Sequence, residues 1–117
     1  MRKFFKSFGF AGEGIIHALK SERNFKVHII AAIIVVFAGL LTRLSMLEWF
    51  IVIILIGGML ALEMLNSAIE RAVDVITIER HPLAKQAKDL AAGAVLVFAI
   101  TSAIIGLLIF IPKWFIE

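Results

Sequence analysis

Four polar side chains that could do chemistry follow one another at the end of an apolar run. Glu63, Asn66, Glu70 and Asp74 come directly after Trp49–Leu62, in a chain that is 62% hydrophobic. At about 100° per residue, the three acids project within some tens of degrees of one another on a helix. Carboxylates at membrane depth are costly and are rarely retained without a task. This helix face is therefore the first place to look for an active site.

The acidic face needs positive charge nearby, because acids this close cannot all stay ionised without a cation. The chain has no cysteine, so a bound metal would be a hard ion with oxygen ligands. Other polar and charged residues enter the predicted first and third membrane spans: Glu22, Arg23, Asn24, Lys85, Lys88 and Asp89. We expect all three spans to bring their polar residues to one level.

Long apolar stretches divide the chain into elements that position these residues. A bilayer is crossed by about 20 apolar residues, and the candidates are 27–46, 47–65 and 91–111. Residues 1–26 are predicted to form an amphipathic surface helix, with a basic tether as the alternative. Residues 71–90 are predicted to form a cytoplasmic connector and the start of the third helix. The prediction is one all-α integral membrane domain, 1–117, with a surface helix and three transmembrane helices. Because three spans are few for a bundle that encloses a polar site, we expect a homo-oligomer.

Positive charge predicts the orientation. Six Lys or Arg side chains precede the first span and four lie between the second and third, whereas the first connector has only Arg43. By the positive-inside rule, the N-terminus is cytoplasmic and the C-terminus lies outside a multi-pass protein of the inner (cytoplasmic) membrane. The net charge of +3 then reflects topology and anionic lipid, and we expect no nucleic-acid partner.

From the residues alone, several interpretations are open. In a purely structural subunit, pairs such as Glu70 with Lys88, or Asp74 with Arg71, would only fix helix packing. A small proton-coupled transporter would use Glu63 as the carrier, near the midplane. A lipid-modifying enzyme would use the acids to bind a divalent ion and to take a proton from a lipid headgroup. Clustering at one interface favours the enzyme. No glycine-rich phosphate loop is present, so a phosphate donor would be held by metal, Lys and Arg.

Two stretches carry most of a family resemblance that extends over nearly the whole chain and includes Glu22, Asn24 and Phe25 ahead of the first span. Glu63-Met-Leu-Asn66-Ser-Ala-Ile-Glu70 with Asp74, and then the run from Glu79 through His81, Lys88 and Asp89 to Val95, resemble the prokaryotic diacylglycerol kinase and undecaprenol kinase family. The resemblance implies a small homotrimeric membrane kinase that uses ATP and Mg²⁺. It also implies active sites at the cytoplasmic interface that take residues from neighbouring subunits.

The resemblance implies a role for each matched residue. Glu63 would be the general base that deprotonates the lipid hydroxyl, and Asn66 its hydrogen-bonding neighbour. Lys88 would neutralise phosphate charge, while Asp89 would orient the phosphate or assist at the site. Such roles suit phosphoryl transfer, which needs alignment and charge neutralisation more than covalent chemistry.

The same carry-over assigns the ligands of ATP and metal. Glu22 and Glu70 would hold the divalent ions that bridge the phosphates. Asp74, Glu79 and His81 would lie toward the nucleotide. We interpret His28 only as an interfacial residue.

The acceptor lipid is less sharply indicated. The stretches 81–85 and 91–94 look more like the Gram-positive branch of the family, whose members tend to phosphorylate undecaprenol. Diacylglycerol is the alternative, because both lipids present a primary hydroxyl at the same depth and no residue reads the tail.

Overall fold

Four helices account for nearly all of the chain. The computed structural model describes residues 1–116, so Glu117, the last residue of the predicted domain, lies outside the described residues. The helices are α1 (Arg2–Ser21), α2 (Arg23–Thr42), α3 (Met46–Ile76) and α4 (Pro82–Phe115). The described part of the chain contains no strand, and α2, α3 and α4 are each long and apolar enough to cross a membrane. The predicted all-α membrane fold is confirmed.

A tight turn joins α2 to α3. Arg43 adopts a left-handed backbone conformation with φ of 59°, and the Leu44 N–H donates to the Gly39 carbonyl, which closes α2. Ser45 then begins α3 with a capping box: Ser45 Oγ accepts from the Glu48 N–H, and Glu48 Oε1 accepts from the Ser45 N–H. The first apolar helix therefore ends at Thr42, four residues before the end of the predicted stretch 27–46.

Both long helices continue past the apolar stretches that predicted them. α3 extends from the stretch 47–65 to Ile76, and α4 begins at Pro82, within the predicted helix start and ahead of the apolar stretch 91–111. Most of the predicted connector 71–90 is thus helical, and only residues 77–81 link the two helices. Proline suits the first helical position, and His81 Nδ1 caps the helix by accepting from the Leu83 N–H at 3.1 Å. At 31 residues, α3 is about 46 Å long and exceeds a hydrocarbon core of about 30 Å.

The turn end of the bundle is the better packed end. Leu44, Val52 and Phe110 form a small buried cluster against partly buried neighbours such as Trp49. Trp114 Nε1 donates to Thr42 Oγ1 at 2.8 Å and ties the end of α4 to the end of α2. These contacts fix the three apolar helices at the end of the bundle away from the predicted site.

Helix α1 is loosely attached. Ala18 is its one buried residue among those described, and the apolar side chains at Phe4, Phe8 and Ile16 are exposed. The predicted surface helix 1–26 stops at Ser21, because Glu22 is extended and residues 23–26 belong to α2. The exposed apolar side chains are typical of a helix that rests on lipid.

Candidate active site

Glu63 is the one charged side chain buried in the described chain, at 5% exposure. Its Oε1 lies 3.0 Å from Nε2 of His28 on α2. The hairpin geometry explains the meeting: His28 lies about 21 Å before the end of α2, and Glu63 lies about 26 Å after the start of α3. A buried carboxylate needs a polar partner, and the imidazole nitrogen lies within hydrogen-bonding distance of it.

One turn further along α3, Asn66 has an unsatisfied oxygen. Its Nδ2 lies 3.4 Å from Glu70 Oε1, which is a long hydrogen bond, while its Oδ1 is buried with no partner. Buried acceptors are normally satisfied. An orphan amide oxygen beside a carboxylate suits a cation or a donor supplied by a ligand.

Glu22 makes a different contact in the single chain. Its carboxylate accepts a short hydrogen bond from the Arg71 guanidinium, and this ion pair ties the α1–α2 junction to α3. Of the pairings considered from the sequence, Asp74 with Arg71 is thus replaced by Glu22 with Arg71.

A cleft of about 560 Å³ opens where α3 ends and α4 begins. Four residues predicted to face the phosphates or the nucleotide line it: Asp74, Glu79, His81 and Lys88. Lys88 Nζ lies 2.6 Å from Asp74 Oδ1 across the cleft, so Lys88 pairs with Asp74 rather than with Glu70. The lining also includes Arg80 and Lys85, two cations without an individually predicted role.

Asp89 lies elsewhere. Its carboxylate is 2.5 Å from Lys85 Nζ, one turn back on α4, and both side chains are mostly exposed. It lines a separate shallow depression with Gln86 and Gly93. One chain therefore does not bring Asp89 into the cleft that contains Lys88.

The few oxygen donors of the site fit Mg²⁺ better than a metal ion that needs all of its ligands from the protein. Within residues 1–116, no group of three or more His, Asp or Glu side chains is arranged to hold a metal. Mg²⁺ is usually bound by one or two carboxylates, waters and substrate phosphates. Glu70 and the orphan Asn66 Oδ1 match that limited donor set, and Glu22 would add a carboxylate after exchanging Arg71.

The contact between His28 and Glu63 was not predicted from the sequence. The interpretation of His28 as interfacial took no account of helix register. The short connector 42–48 predicts an antiparallel hairpin of the first two spans, and counting residues away from it along each helix places His28 and Glu63 at nearly equal depth.

The chain is similar to known proteins over a range that includes every residue of the candidate site. A family model described as prokaryotic diacylglycerol kinase matches residues 9–110. The chain is 58% identical over 113 residues to the undecaprenol kinase of Bacillus subtilis, covering 97% of this chain and 92% of that protein. It is 36% identical to a diacylglycerol kinase of Synechocystis sp., over 91% of this chain and 61% of the relative. A diacylglycerol kinase of Helicobacter pylori is 37% identical, over 82% of this chain and 75% of the relative.

Proposed function

The chain belongs to the prokaryotic diacylglycerol kinase family and is a membrane lipid kinase, and we propose that it transfers the γ-phosphoryl group of ATP to the hydroxyl of undecaprenol. Mg²⁺ is the proposed cofactor. The observation that carries the proposal is the placement of a buried carboxylate, Glu63, on the same helix as Asp74 of the charged cleft. Because α3 continues as one helix from Glu63 to Asp74, a lipid headgroup and a soluble nucleotide can meet along it.

Glu63 is the proposed general base. Its burial among apolar helices places it where the headgroup of a membrane lipid can approach, and its free oxygen can accept the hydroxyl proton. The resulting oxygen nucleophile forms a bond to the γ-phosphorus, and the bond from that phosphorus to ADP breaks. The Asn66 side-chain amide donates to Glu70 Oε1 and would hold that carboxylate in place.

The cleft residues bind and neutralise the triphosphate. Lys88 and Lys85 supply ammonium groups, and Arg80 supplies a guanidinium. His81 and Glu79 lie at the connector, where they can contact the nucleoside. Mg²⁺, held by Glu70 and Glu22, would neutralise the phosphate oxygens as charge develops in the transition state. Such electrostatic positioning is the main contribution that proteins make to phosphoryl transfer.

Assembly completes the site in this proposal. In the single chain, Glu22 is engaged by Arg71, and Asp89 pairs with Lys85 without lining the Lys88 cleft. Large apolar surfaces on α2 and α4 are exposed, with side chains such as Ile34, Leu96 and Ile104 more than half accessible. A homotrimer with sites shared between subunits would cover part of that surface and bring Asp89 to a neighbour's site. The proposed location is the inner membrane, with the site and the N-terminus on the cytoplasmic side and the C-terminus outside.

Undecaprenol is the proposed acceptor because the 58% identical relative is an undecaprenol kinase, whereas the diacylglycerol kinases compared are 36–37% identical. Diacylglycerol is the second candidate, since the family model is that of diacylglycerol kinases.

The test is acceptor choice in mixed micelles. Purified full-length protein is given labelled ATP and Mg²⁺ with either undecaprenol or diacylglycerol, and label is counted in the lipid fraction. We expect higher kcat/KM for undecaprenol. Preference for diacylglycerol would overturn the acceptor while retaining the kinase, and no label in either lipid would overturn ATP-dependent transfer to both candidates.

A further inference from the structure

We propose that His28 is a positioning residue for Glu63 in the phosphoryl transfer. This inference rests on the proposed role of Glu63 as the base. His28 Nε2 lies 3.0 Å from Glu63 Oε1. An N–H donated from that nitrogen would hold Oε1, so that the other carboxylate oxygen stays directed at the lipid hydroxyl.

The pairing sets Glu63 apart from the other ion-paired acids of the described chain. Glu22 pairs with an arginine, and the other three pair with lysines: Glu48, Asp74 and Asp89. Glu63 alone among these paired acids has a histidine partner, at 3.0 Å. It is also the most deeply buried of them, with 6% of its side chain exposed.

The chemical difference between these partners matters for a base. Lysine and arginine stay charged at neutral pH, so an ion pair with either would favour the carboxylate over the carboxylic acid that a base must become. A neutral imidazole donates one N–H hydrogen bond without a fixed charge. It can therefore fix the carboxylate geometry and still leave Glu63 able to take the proton.

The cleft beside His28 contributes no cation from the part of the chain that the structure describes. His28 borders an apolar cleft of about 510 Å³ between α2, α3 and α4, and Ser102, Trp114 and His28 are its only lining residues with polar side chains among those described. The imidazole is itself partly accessible, with 28% of its side chain exposed.

The test compares three variants of full-length protein in the micelle assay: His28→Ala, His28→Gln and His17→Ala. Alanine removes the N–H donor, whereas glutamine retains an N–H donor at a similar reach and carries no titrating group. His17 is exposed on α1 and serves as the matched control for loss of a histidine. Folding is checked by thermal unfolding in detergent, and ATP binding is measured by direct titration.

We expect His28→Ala to lower kcat by about 10- to 100-fold, the cost of a misdirected reacting group, while KM for ATP changes little. His28→Gln should retain most of the kcat, and added imidazole should raise the rate of folded His28→Ala. His17→Ala should match the unmodified protein.

Three results would overturn the role. Unchanged kcat in His28→Ala would show that Glu63 needs no imidazole. An equal loss of kcat in His28→Ala and His28→Gln without rescue by imidazole would show that His28 only packs against Glu63. Failure of both variants to fold would show the same. An unmodified protein that phosphorylates neither lipid would instead contradict the proposed function, so the two failures are distinguishable.

Discussion

Lys88 Nζ lies 2.6 Å from Asp74 Oδ1, and this ion pair joins the beginning of α4 to the end of α3. Both side chains are partly open, with 39% of Lys88 and 54% of Asp74 exposed. Ion pairs of this kind contribute little net stability, about 0–1 kcal/mol, because water solvates both partners. A triphosphate, which carries several negative charges, can therefore displace Asp74 from Lys88 at small cost.

Lys88→Met should weaken both ATP binding and phosphoryl transfer. Loss of a group that stabilises transition-state charge typically lowers kcat by about 10²-fold or more, and we also expect KM for ATP to rise. The measurement is the initial rate of lipid phosphorylation against ATP concentration. Lys113→Met is the matched control, because Lys113 lies near the other end of α4 and pairs with Glu48. Equal effects of the two substitutions would contradict a phosphate role for Lys88.

Glu63→Gln should abolish most turnover while ATP binding persists. Glutamine keeps the shape and an oxygen that can accept from His28, but it cannot take up the hydroxyl proton. General-base catalysis contributes about 10²–10⁴-fold. Turnover is measured in micelles and ATP binding by titration. Glu48→Gln, on the same helix at the turn end, should retain activity. If Glu63→Gln keeps its rate, the base lies elsewhere.

The sequence predicted the elements better than the contacts between them. Apolar length alone identified three spans, and the spacing of Glu63, Glu70 and Asp74 identified the polar face of α3. The end of α3 was missed because polar residues continue that helix beyond its apolar part, and backbone hydrogen bonds do not depend on side-chain polarity. The start of α4 at Pro82 falls within the predicted helix start, because proline marks the break before it. The distant pairings were also missed. His28 meets Glu63 because the turn at Arg43 sets the register between α2 and α3, and hydropathy carries no such information.

Glu70→Gln should raise the Mg²⁺ concentration needed for half-maximal rate. A carboxylate ligand contributes charge that an amide lacks, so the effect should appear in metal dependence more than in rate at saturating Mg²⁺. The measurement is a Mg²⁺ titration at fixed ATP and lipid. Glu13→Gln, on the exposed face of α1, is the control. An unchanged titration would remove Glu70 from the proposed ligands.

Orientation can be tested with single cysteines because the chain has none. Met46→Cys, at the α2–α3 turn, should react with a membrane-impermeant maleimide added to intact cells. Ile78→Cys, in the exposed α3–α4 connector, should react only after the membrane is opened. The expectation follows from the excess of Lys and Arg near the α3–α4 connector over the α2–α3 turn. The opposite pattern would place the proposed site outside the cell, away from ATP.

Gly58→Ala should destabilise the contact between α3 and α4. A Cβ at Gly58 would lie 2.5 Å from Cζ of the Phe98 ring, so the ring or a helix must move. Overpacking of this kind typically costs about 1–3 kcal/mol. We expect a lower midpoint for thermal inactivation in detergent.

Gly57→Ala is the matched control for that substitution, since a Cβ there meets nothing within 4 Å in the described chain. Alanine at Gly57 should be neutral or slightly stabilising, because alanine favours a helix by about 1 kcal/mol over glycine. Adding Phe98→Leu to Gly58→Ala should recover part of the loss, as two contacting sites do not act additively. If Gly57→Ala is the damaging substitution and Gly58→Ala is silent, the tight approach of α3 and α4 at Phe98 is wrong, and Gly57 lies instead against a neighbouring subunit.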